Sequence, residues 1–398
     1  MRFSTANSYN TSLDSLVNRQ ANLSATQEQM TTGKRVNRAS DDPGAAARSE
    51  RALASERRGV ASQRAVDASS NAMTMTESSL GDAAGLLQNA RESLVAAGNA
   101  TYSDAERAVI GNQLVDLRQQ LFTVANRTDG AGTYLFGGQG SNQPPFIDAP
   151  GGVQFQGMTG PMQAASGEAL PLTVDGKSTF MLGRTGNGVF EAKAVASTGT
   201  AWIDSGTVTD PQALTGATYS LQFGVANGAT TYSVLKGGAA TAQANLSFTS
   251  GKAIQVDGMS VTIQGTPANG DAFALAPSTS SLSVFSVLDK AIADLKTPGR
   301  SGTQMAQSTA VNLAQLDSVL GQVVSSRSQV GITLNRITDA SDRLATSKLS
   351  DQTQRSNAED LDMTQAISAF SNQQTGYDAS LKAYSMVQRL SLFNYLNP

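Results

Sequence analysis

Proline is absent from both ends of this chain, and this absence constrains the fold more than any other feature. Residues 44–143 and 299–397 contain none, whereas eight of the eleven prolines fall between Pro144 and Pro277. Proline breaks helix interiors, so a long proline-free stretch with apolar residues at helical spacing predicts a long helix. We therefore expect an α+β multidomain chain whose two ends form a long antiparallel, coiled-coil helical rod around an inserted β-rich domain.

The amino-terminal segment, from about Ser4 to Thr32, has the spacing of an amphipathic helix with a weak apolar seam. Its seam residues lie three and seven positions apart and are interrupted by Gln20 and Gln27: Leu13, Leu16, Leu23 and Met30. Gly33 is a natural helix end. A seam this polar is marginal in an isolated helix, so we expect the segment to become ordered only against a partner.

A helix start follows at Ser40-Asp41-Asp42-Pro43. Asp42 is a suitable N-cap because its carboxylate can accept amide protons of the first turn, and Pro43 suits the first helical position. From here apolar residues recur every seven positions to about Gly98, with one phase slip between two sets: Ala46, Leu53 and Val60, then Val66, Met73, Leu80, Leu87 and Leu94. The capping box Ser103-Asp104-Ala105-Glu106 predicts another helix, with one apolar side: Val109, Ile110, Leu114, Leu117, Leu121 and Val124.

The middle of the chain has the pattern of short strands and tight turns. A glycine-rich connector after Thr128 leads into a β domain that we place at residues 158–277. An alternating apolar run from Tyr219 to Val225 is followed by Asn227-Gly228, which favours a type I′ hairpin. Asp257-Gly258 repeats this pattern between two shorter alternating runs.

Helical periodicity returns at Ser281 and continues to the end of the chain. A short helix ends at Pro298-Gly299, and the long helix after it has apolar residues at steps of three, four and seven: Leu313, Leu316, Leu320, Val323, Val330, Leu334, Ile337 and Leu344. After Gly376 the last segment has only three charged residues. So poor a solvated face predicts that this helix is buried in something larger than the monomer.

Several classes of function are excluded by residue types that the chain lacks. It has no cysteine and no histidine, which removes disulfides, thiolate metal sites, a Ser-His-Asp triad and the commonest general base near neutral pH. The net charge of −3 gives no reason to expect nucleic acid or an anionic membrane as a partner. No apolar run approaches the roughly 18–20 residues of a membrane helix, and residues 1–11 lack the apolar core of a cleaved secretory signal. We expect no enzyme activity, catalytic residue, metal or cofactor.

The remaining chemical motifs have structural interpretations. Gly176-Lys177-Ser178 ends like a phosphate-binding loop, but Pro171 stands where that motif needs its first glycine, so we interpret it as a turn in the β domain. We interpret Trp202 as a core anchor or an exposed contact. The central carboxylates are interpreted as surface and turn residues: Glu168, Asp175, Glu191, Asp204, Asp210, Asp257 and Asp271. A basic cluster is expected to be ion-paired with the interleaved glutamates Glu50 and Glu56: Arg48, Arg51, Arg57 and Arg58.

Three stretches of the sequence resemble the hook-associated junction proteins of the bacterial flagellin superfamily. They are Met1-Arg2-Phe3-Ser4-Thr5, the stretch from Gly33-Lys34-Arg35 to Ser40-Asp41-Asp42-Pro43, and the closing Ser391-Leu392-Phe393-Asn394-Tyr395-Leu396. The resemblance covers about the first 140 and the last 115 residues, and the central domain contributes little to it. The last two stretches are more similar to the junction proteins than to filament-forming flagellin.

The resemblance implies a structural role in the bacterial flagellum. Such proteins are secreted through the flagellar type III apparatus without a cleaved signal, and they lie at the extracellular hook–filament junction. They form a ring-like layer of about eleven copies, with hook-associated protein 1 on the hook side and flagellin on the filament side. A cytoplasmic export chaperone that holds the carboxy-terminal helix is also implied. A chain without disulfides suits passage through a narrow export channel.

The helical seams and the resemblance together lead us to expect three layers. Residues 1–43 and 355–398 form an inner tube, residues 44–157 and 278–354 form the surrounding rod, and residues 158–277 form an outer β domain. The assembly interface then consists of apolar residues of the terminal helices: Leu13, Leu16, Leu23, Met30, Leu361, Ile367, Phe370, Leu381, Leu390, Leu392 and Phe393. Each contributes roughly 1.5–3 kcal/mol when fully buried.

Three other interpretations stay open at this stage. The heptads of residues 44–128 and 303–348 also suit the core of a monomeric helical bundle. A filament-forming flagellin has similar helical ends, and its copy number per flagellum separates it from a junction protein. A stalked adhesin or sugar-active protein would use the central domain, and glycan binding or hydrolysis by residues 158–277 would reveal it.

Overall fold

The computed structural model describes residues 5–99, 101–140, 142–164 and 168–396, with the side chains of residues 5–9, 303 and 387–396 left out of the description. The chain forms two compact units. We call residues Met1–Arg64 with Ala340–Pro398 the terminal unit, and residues Ala65–Asp339 the central unit. Two long helices, α2 and α6, contribute residues to both.

The described residues contain seven α-helices, of which six form the two ends of the chain and α4 lies between strands: α1 (Thr5–Thr32), α2 (Pro43–Ala97), α3 (Asp104–Ala125), α4 (Gly176–Phe180), α5 (Val284–Lys296), α6 (Gly302–Glu359) and α7 (Met363–Leu396). The predicted helix starts near Ser4, Asp42 and Ser103 and the predicted ends near Thr32 and Gly98 are confirmed to within two residues. The capping box is also confirmed, because the Ser103 hydroxyl accepts the Glu106 amide and the Glu106 carboxylate accepts the Ser103 amide.

Between α3 and α5 the part of the chain that the structure describes has fourteen strands: β1 (Phe146–Ala149), β2 (Gly152–Phe155), β3 (Gly183–Arg184), β4 (Phe190–Ala196), β5 (Trp202–Ile203), β6 (Thr207–Val208), β7 (Tyr219–Ala226), β8 (Ala229–Lys236), β9 (Ala239–Ala240), β10 (Leu246–Ser247), β11 (Ala253–Val256), β12 (Met259–Gln264), β13 (Ala272–Pro277) and β14 (Ser280–Leu282). The expected α+β architecture, with helical ends and a β-rich insert, is confirmed.

The apolar seam of α2 is one continuous heptad, so the predicted phase slip is wrong. Leu53 is only half-buried and Val60 is 41% exposed, whereas Ala45 and Ala52 are buried. The buried positions keep one seven-residue register across the helix: Ala45, Ala52, Val66, Met73, Leu80, Leu87 and Leu94. Gly59 occupies the remaining heptad position. Leu53 and Val60 indicate the wrong register from sequence because they are large and apolar. The seam is instead formed here by alanines and a glycine, which let two helices approach closely.

The carboxyl half of the helical system follows the predicted heptad in part. In α6 the fully buried seam residues include Leu316, Val323, Val330 and Ile337, while Leu313, Leu320 and Leu334 flank them half-buried. Within the central unit, α6 runs antiparallel to α2, since later residues of α2 pair with earlier residues of α6. Two ion pairs show this arrangement, Glu77–Arg327 at 2.6 Å and Arg91–Asp317 at 2.6 Å. In α3 the expected apolar side is correct except for Val109, which is 58% exposed.

An aromatic cluster lies beside α3 and α5 in the central unit. Four phenylalanines that are at most 1% exposed form it: Phe136, Phe146, Phe180 and Phe285. Phe180 belongs to α4, and its ring centroid lies 5.0 Å from that of Phe136 and 5.6 Å from that of Phe146. Gly176-Lys177-Ser178 is therefore not a turn of the β domain. It forms the first turn of α4, because the Asp175 carboxylate accepts the amides of Lys177 and Ser178.

The β-rich part of the central unit is a two-sheet sandwich. One antiparallel sheet has the order β10-β8-β7-β13-β4 with β9 beside β8, and the other has the order β11-β12-β5 with β6 beside β12. Both inner faces contribute to one core, which includes Tyr219, Phe223, Phe273, Val261 and Ile263. The predicted hairpins are confirmed: Asn227-Gly228 and Asp257-Gly258 have positive φ at both positions and join paired strands.

Candidate assembly surface

The helices of the terminal unit are interrupted at two places that lie side by side. The chain leaves α1 at Gly33, whose φ of +72° is readily adopted by glycine. The Arg35 amide donates to the Glu359 carbonyl at 2.7 Å, and the Leu361 amide donates to the Gly33 carbonyl at 3.0 Å. We call residues 33–42 and 360–362 the paired linkers.

Charged side chains reinforce the paired linkers. The Arg35 guanidinium donates to the Ala358 carbonyl at 3.0 Å and forms an ion pair with Asp42 at 3.1 Å. Lys34 lies 3.3 Å from the Glu359 carboxylate, which is 16% exposed and also accepts the Ser49 hydroxyl at 2.8 Å. These contacts connect α2, the end of α6 and the linker of residues 33–42 within the terminal unit.

Two aspartates organise the start of α2. Asp41 accepts the amides of Asn37 and Arg38 at 3.0 and 2.8 Å, and Asp42 accepts the Ala45 amide at 2.9 Å. These backbone hydrogen bonds, with the nearby arginines, lower the pKa of both carboxyl groups. The structure thus places Asp42 as the cap of the helix that begins at Pro43.

Asp362 plays the corresponding part at the start of α7. Its carboxylate accepts the Thr364 amide at 3.0 Å and the Gln365 amide at 3.1 Å. Sequence reasoning treated residues 355–398 as one helical segment and missed this interruption. An aspartate immediately before a helical run is the signal that could have revealed it.

Packing of α1 on α7 completes the terminal unit and is only partly apolar. Thr26 is 8% exposed and donates its hydroxyl to Gln373 at 2.9 Å. The Arg19 side chain of α1 reaches over Gly376 of α7, where an added Cβ would lie 2.7 Å from a guanidinium nitrogen. Ala366 is buried at 5% exposure. Small and polar residues therefore form much of this contact.

The expected interface residues fall into three groups. Leu13, Ile367 and Leu381 are 42%, 53% and 40% exposed. Five others are half-buried: Leu16, Leu23, Met30, Leu361 and Phe370. Leu390, Leu392 and Phe393 lie outside the residues whose side chains are described. Sequence reasoning missed three further exposed apolar residues on the same two helices: Val17 at 57%, Met363 at 44% and Met386 at 61%.

The basic cluster of α2 has a different arrangement from the one predicted. Within the described residues, Arg48, Arg51, Arg57 and Arg58 form no ion pair with Glu50 or Glu56. Glu56 instead pairs with Arg355 of α6 at 2.7 Å. A contact between helices has replaced the expected contact along one helix, because Glu56 is half-buried on the side of α2 that faces α6.

Most of the central carboxylates have identifiable structural contacts. Asp271, which is 1% exposed, accepts the amides of Thr198, Gly199 and Ala268. Asp257 accepts the Tyr219 hydroxyl and pairs with Lys236 at 2.9 Å. Asp204 accepts the amides of Gly206 and Thr262, while Asp175 and Asp210 each cap a helical turn.

Trp202 is half-buried in β5. None of the helices in the described residues has an apolar stretch sufficient to span a membrane.

Comparison with known sequences identifies both helical ends. Residues 3–141 match the bacterial flagellin N-terminal helical region, and residues 313–396 match the bacterial flagellin C-terminal helical region. Together the two regions cover more than half of the chain. They define a protein of the flagellin class, with helical ends that enclose a separate central insert.

Full-length relatives define the family within that class. The chain is 28% identical over 398 residues to flagellar hook-associated protein 3 of Escherichia coli, and the match covers 99% of both chains. Its fold is similar to that of Xanthomonas campestris FlgL, with a TM-score of 0.69 and 28% identity over 77% of this chain and 99% of that one. A flagellar filament core protein of Borreliella burgdorferi is 33% identical but matches only 27% of this chain. The chain belongs to the flagellar hook-associated protein 3 family, and filament-forming flagellin is not favoured.

Proposed function

We propose that this chain is a structural adaptor that joins hook-associated protein 1 to the flagellin filament. The observation that carries the proposal is the exposed apolar surface of α1 and α7, which includes Val17, Ile367 and Met386 at 57%, 53% and 61% exposure. Apolar residues left exposed on two neighbouring helices are expected where another protein covers them. Membership of the family supports a flagellar location for that partner.

The composition of the terminal helices supports burial in an assembly. Each of α1 and α7 has only three charged residues, although α1 is 28 and α7 is 34 residues long. Full burial of one exposed leucine or isoleucine gives roughly 1.5–3 kcal/mol. Several such residues per subunit, repeated around a ring, supply the free energy that holds neighbouring copies together. Catalysis is not needed for this function, and we expect the protein to have no enzymatic activity.

The finer features of the assembly are part of the same proposal. The terminal helices form an inner tube, the helices of residues 44–157 and 278–354 form the layer around it, and about eleven copies close a ring. In this proposal the outer domain is the β domain placed at residues 158–277, and the packing of Phe180 in the aromatic cluster favours a start nearer Gly183. Export occurs without a cleaved signal, and a chaperone covers the apolar surface of α7 in the cytoplasm.

Counting and locating the subunits tests the proposal. In a strain whose own gene is deleted, we expect flagellin to be secreted unpolymerised and the full-length chain to restore filaments. Gold-labelled antibody should then mark one band per flagellum, where the hook meets the filament. Label along the whole filament would support the filament-forming alternative and contradict the junction function. A deletion strain that still assembles filaments of normal length would contradict any adaptor function.

A further inference from the structure

The β sandwich is connected to the helices of the central unit by a two-stranded ribbon. The chain enters the sandwich through β3 and leaves it through β14, and these strands pair Arg184 with Ser280 and Gly183 with Leu282. The register shifts between Ser280 and Leu282, so the ribbon is irregular as well as short. Hydrogen bonds continue the pairing beyond these strands, since the Thr185 amide donates to the Thr279 carbonyl at 2.9 Å and the Ser278 hydroxyl donates to the Thr185 carbonyl at 2.7 Å. A ribbon of two strands still has little stability of its own.

One end of the ribbon is fixed to α6. The Ser318 hydroxyl donates to the carbonyl of Arg184. Gly183 lies so close to the helix that an added Cβ would be 2.9 Å from a Val319 methyl carbon. Bending of the ribbon is thus confined to the few residues between this anchor and the sandwich.

A cleft separates the sandwich from α5 and α6 beyond the anchor. It consists of two adjoining cavities of about 340 and 520 Å³, which share Gly186 and Ser205 from the sandwich and Ala314 from α6. Among the described residues, no hydrogen bond or ion pair connects sandwich residues 186–278 to α5 or α6. The ribbon with its anchor is therefore the polar connection between the two parts.

Unpaired charges of opposite sign line the two walls of the cleft. Glu191 of β4 lies on the sandwich wall and Lys290 of α5 lies on the helical wall. In the part of the chain that the structure describes, neither side chain has an ion-pair or hydrogen-bond partner. Both acids on the helical wall are already engaged. Asp294 pairs with Arg300 at 3.0 Å and accepts the Asn312 side-chain amide at 2.8 Å, and Asp317 pairs with Arg91 at 2.6 Å.

We propose that the sandwich also adopts a closed position, in which the ribbon bends and Glu191 pairs with Lys290 across a narrowed cleft. The change in dihedral angles falls between the anchor and β4 and between β13 and β14, where Thr185, Ser278 and Thr279 are hydrogen-bonded to one another. Lys193 also lines the sandwich wall and lies two positions from Glu191 on the same face of β4. Because Lys193 repels Lys290, the bend must bring Lys290 to Glu191 from the side away from Lys193. The open and closed positions of the sandwich are properties of the isolated chain, and they do not depend on the function proposed above.

Spin-label distances on the full-length chain test this closure. The protein has no cysteine, so cysteines placed at exposed Val225 and at exposed Ala293 are the only labelling sites. We expect two distance populations at low ionic strength. Glu191→Lys, and separately Lys290→Glu, should lower the ratio of closed to open molecules by about two- to fivefold, the range for an exposed ion pair. The double charge reversal should restore the ratio.

Two controls separate the pair from general charge effects. Gln255→Lys adds the same charge on the other sheet, where Gln255 is exposed and away from the cleft, and it should leave the distances unchanged. Added salt should lower the closed fraction of the parent chain, because it screens the pair. A single narrow distance in the parent chain would overturn the proposal. So would single reversals without effect, or a double reversal that fails to restore the ratio.

Discussion

The amide of Arg35 donates a 2.7 Å hydrogen bond to the carbonyl of Glu359, and this contact joins the two interruptions in the helices of the terminal unit. The contact holds the linker between α1 and α2 beside the end of α6, where the linker to α7 begins. The stretch from Gly33 to Pro43 carries much of the resemblance to the junction proteins. Its contacts stabilise the fold of the terminal unit within a single chain.

Acidification is expected to loosen the paired linkers. Hydrogen bonds from backbone amides lower the pKa of Asp41 and Asp42 in the folded chain. A carboxyl group with a lowered folded pKa stabilises the fold above its unfolded pKa, near 4, and loses this contribution as pH falls through the folded pKa. Amide hydrogen exchange of residues 33–48 should therefore accelerate as pH drops below about 4, after correction for intrinsic rates.

Neutral side chains at the same positions should remove that pH dependence. Asp41→Asn with Asp42→Asn should flatten the corrected exchange profile of residues 33–48. Asp14→Asn is the matched control, since Asp14 is exposed and has no hydrogen-bond partner among the described residues. An unchanged profile in the double variant would show that other groups control the linkers.

The continuous α2 heptad predicts different effects on the free energy of unfolding for substitutions at two positions eight residues apart. Ala52 is 4% exposed, so Ala52→Leu should lower the free energy of unfolding by about 1–3 kcal/mol through overpacking. Val60 is 41% exposed, and Val60→Ala should change it by less than about 0.5 kcal/mol. Urea denaturation followed by circular dichroism measures both. If Val60→Ala proves the more damaging change, the seam follows the interrupted register instead.

This seam shows what sequence periodicity can and cannot supply. Leu80, Leu87 and Leu94 were placed correctly, because large apolar residues at a constant spacing identify a buried stripe. Ala45, Ala52 and Gly59 were overlooked, because small residues occur on every helix face and gain importance only from the neighbouring helix. Likewise, the pairing of Glu56 with Arg355 depends on which distant helix lies alongside, and spacing within α2 cannot reveal it.

Arg118 is expected to be a key polar contact of the central unit. Its guanidinium, 12% exposed, lies 2.6 Å from carboxylate oxygens of both Asp148 and Asp289, and these raise its pKa. Arg118→Leu would leave two carboxylates facing each other without a cation. We expect a loss of about 1–3 kcal/mol in the free energy of unfolding, discounted because both aspartates are 40% exposed or more.

A comparison variant separates this contact from ordinary surface ion pairs. Arg91 pairs with Asp317 at the same 2.6 Å, but the two side chains are 39% and 47% exposed. Arg91→Leu should cost less than about 1 kcal/mol. Equal losses in the two variants, measured by urea denaturation, would contradict the special status of Arg118.

Two hairpin glycines with the same backbone conformation should respond differently to alanine. Gly228 and Gly258 have φ of +77° and +80°, and an added Cβ at Gly228 has no heavy atom within 4 Å. At Gly258 it would lie 2.2 Å from the Asp210 carbonyl oxygen. Gly228→Ala should cost about 1–2 kcal/mol, and Gly258→Ala clearly more. Thermal melting of the full chain measures both losses. Equal shifts of the Tm in the two variants would show that backbone conformation alone sets the loss, which would contradict this prediction.

The assembly surface was predictable in outline but not in detail. Sparse charge after Gly376 predicts that this helix is buried in a larger assembly, and Ile367 and Leu381 are exposed in the described chain. The sequence did not distinguish Leu23, which turns half-buried toward the monomer, from Val17, which is exposed. That distinction depends on how α1 packs against α7, which includes the hydrogen bond from Thr26 to Gln373. Asp362 was missed because its capping role requires a helix break that periodicity alone does not mark.

Incorporation of surface variants into flagella tests the central claim most directly. Val17→Asp with Ile367→Asp places charges on the exposed apolar surface of α1 and α7, whereas Val195→Asp, at a residue 65% exposed on the sandwich, is the matched control. In the deletion strain, both variants should be exported into the medium in normal amounts. We predict that the control restores filaments, while the double variant accumulates outside the cell and flagellin is lost unpolymerised. Filaments of normal number and length with the double variant would contradict the account.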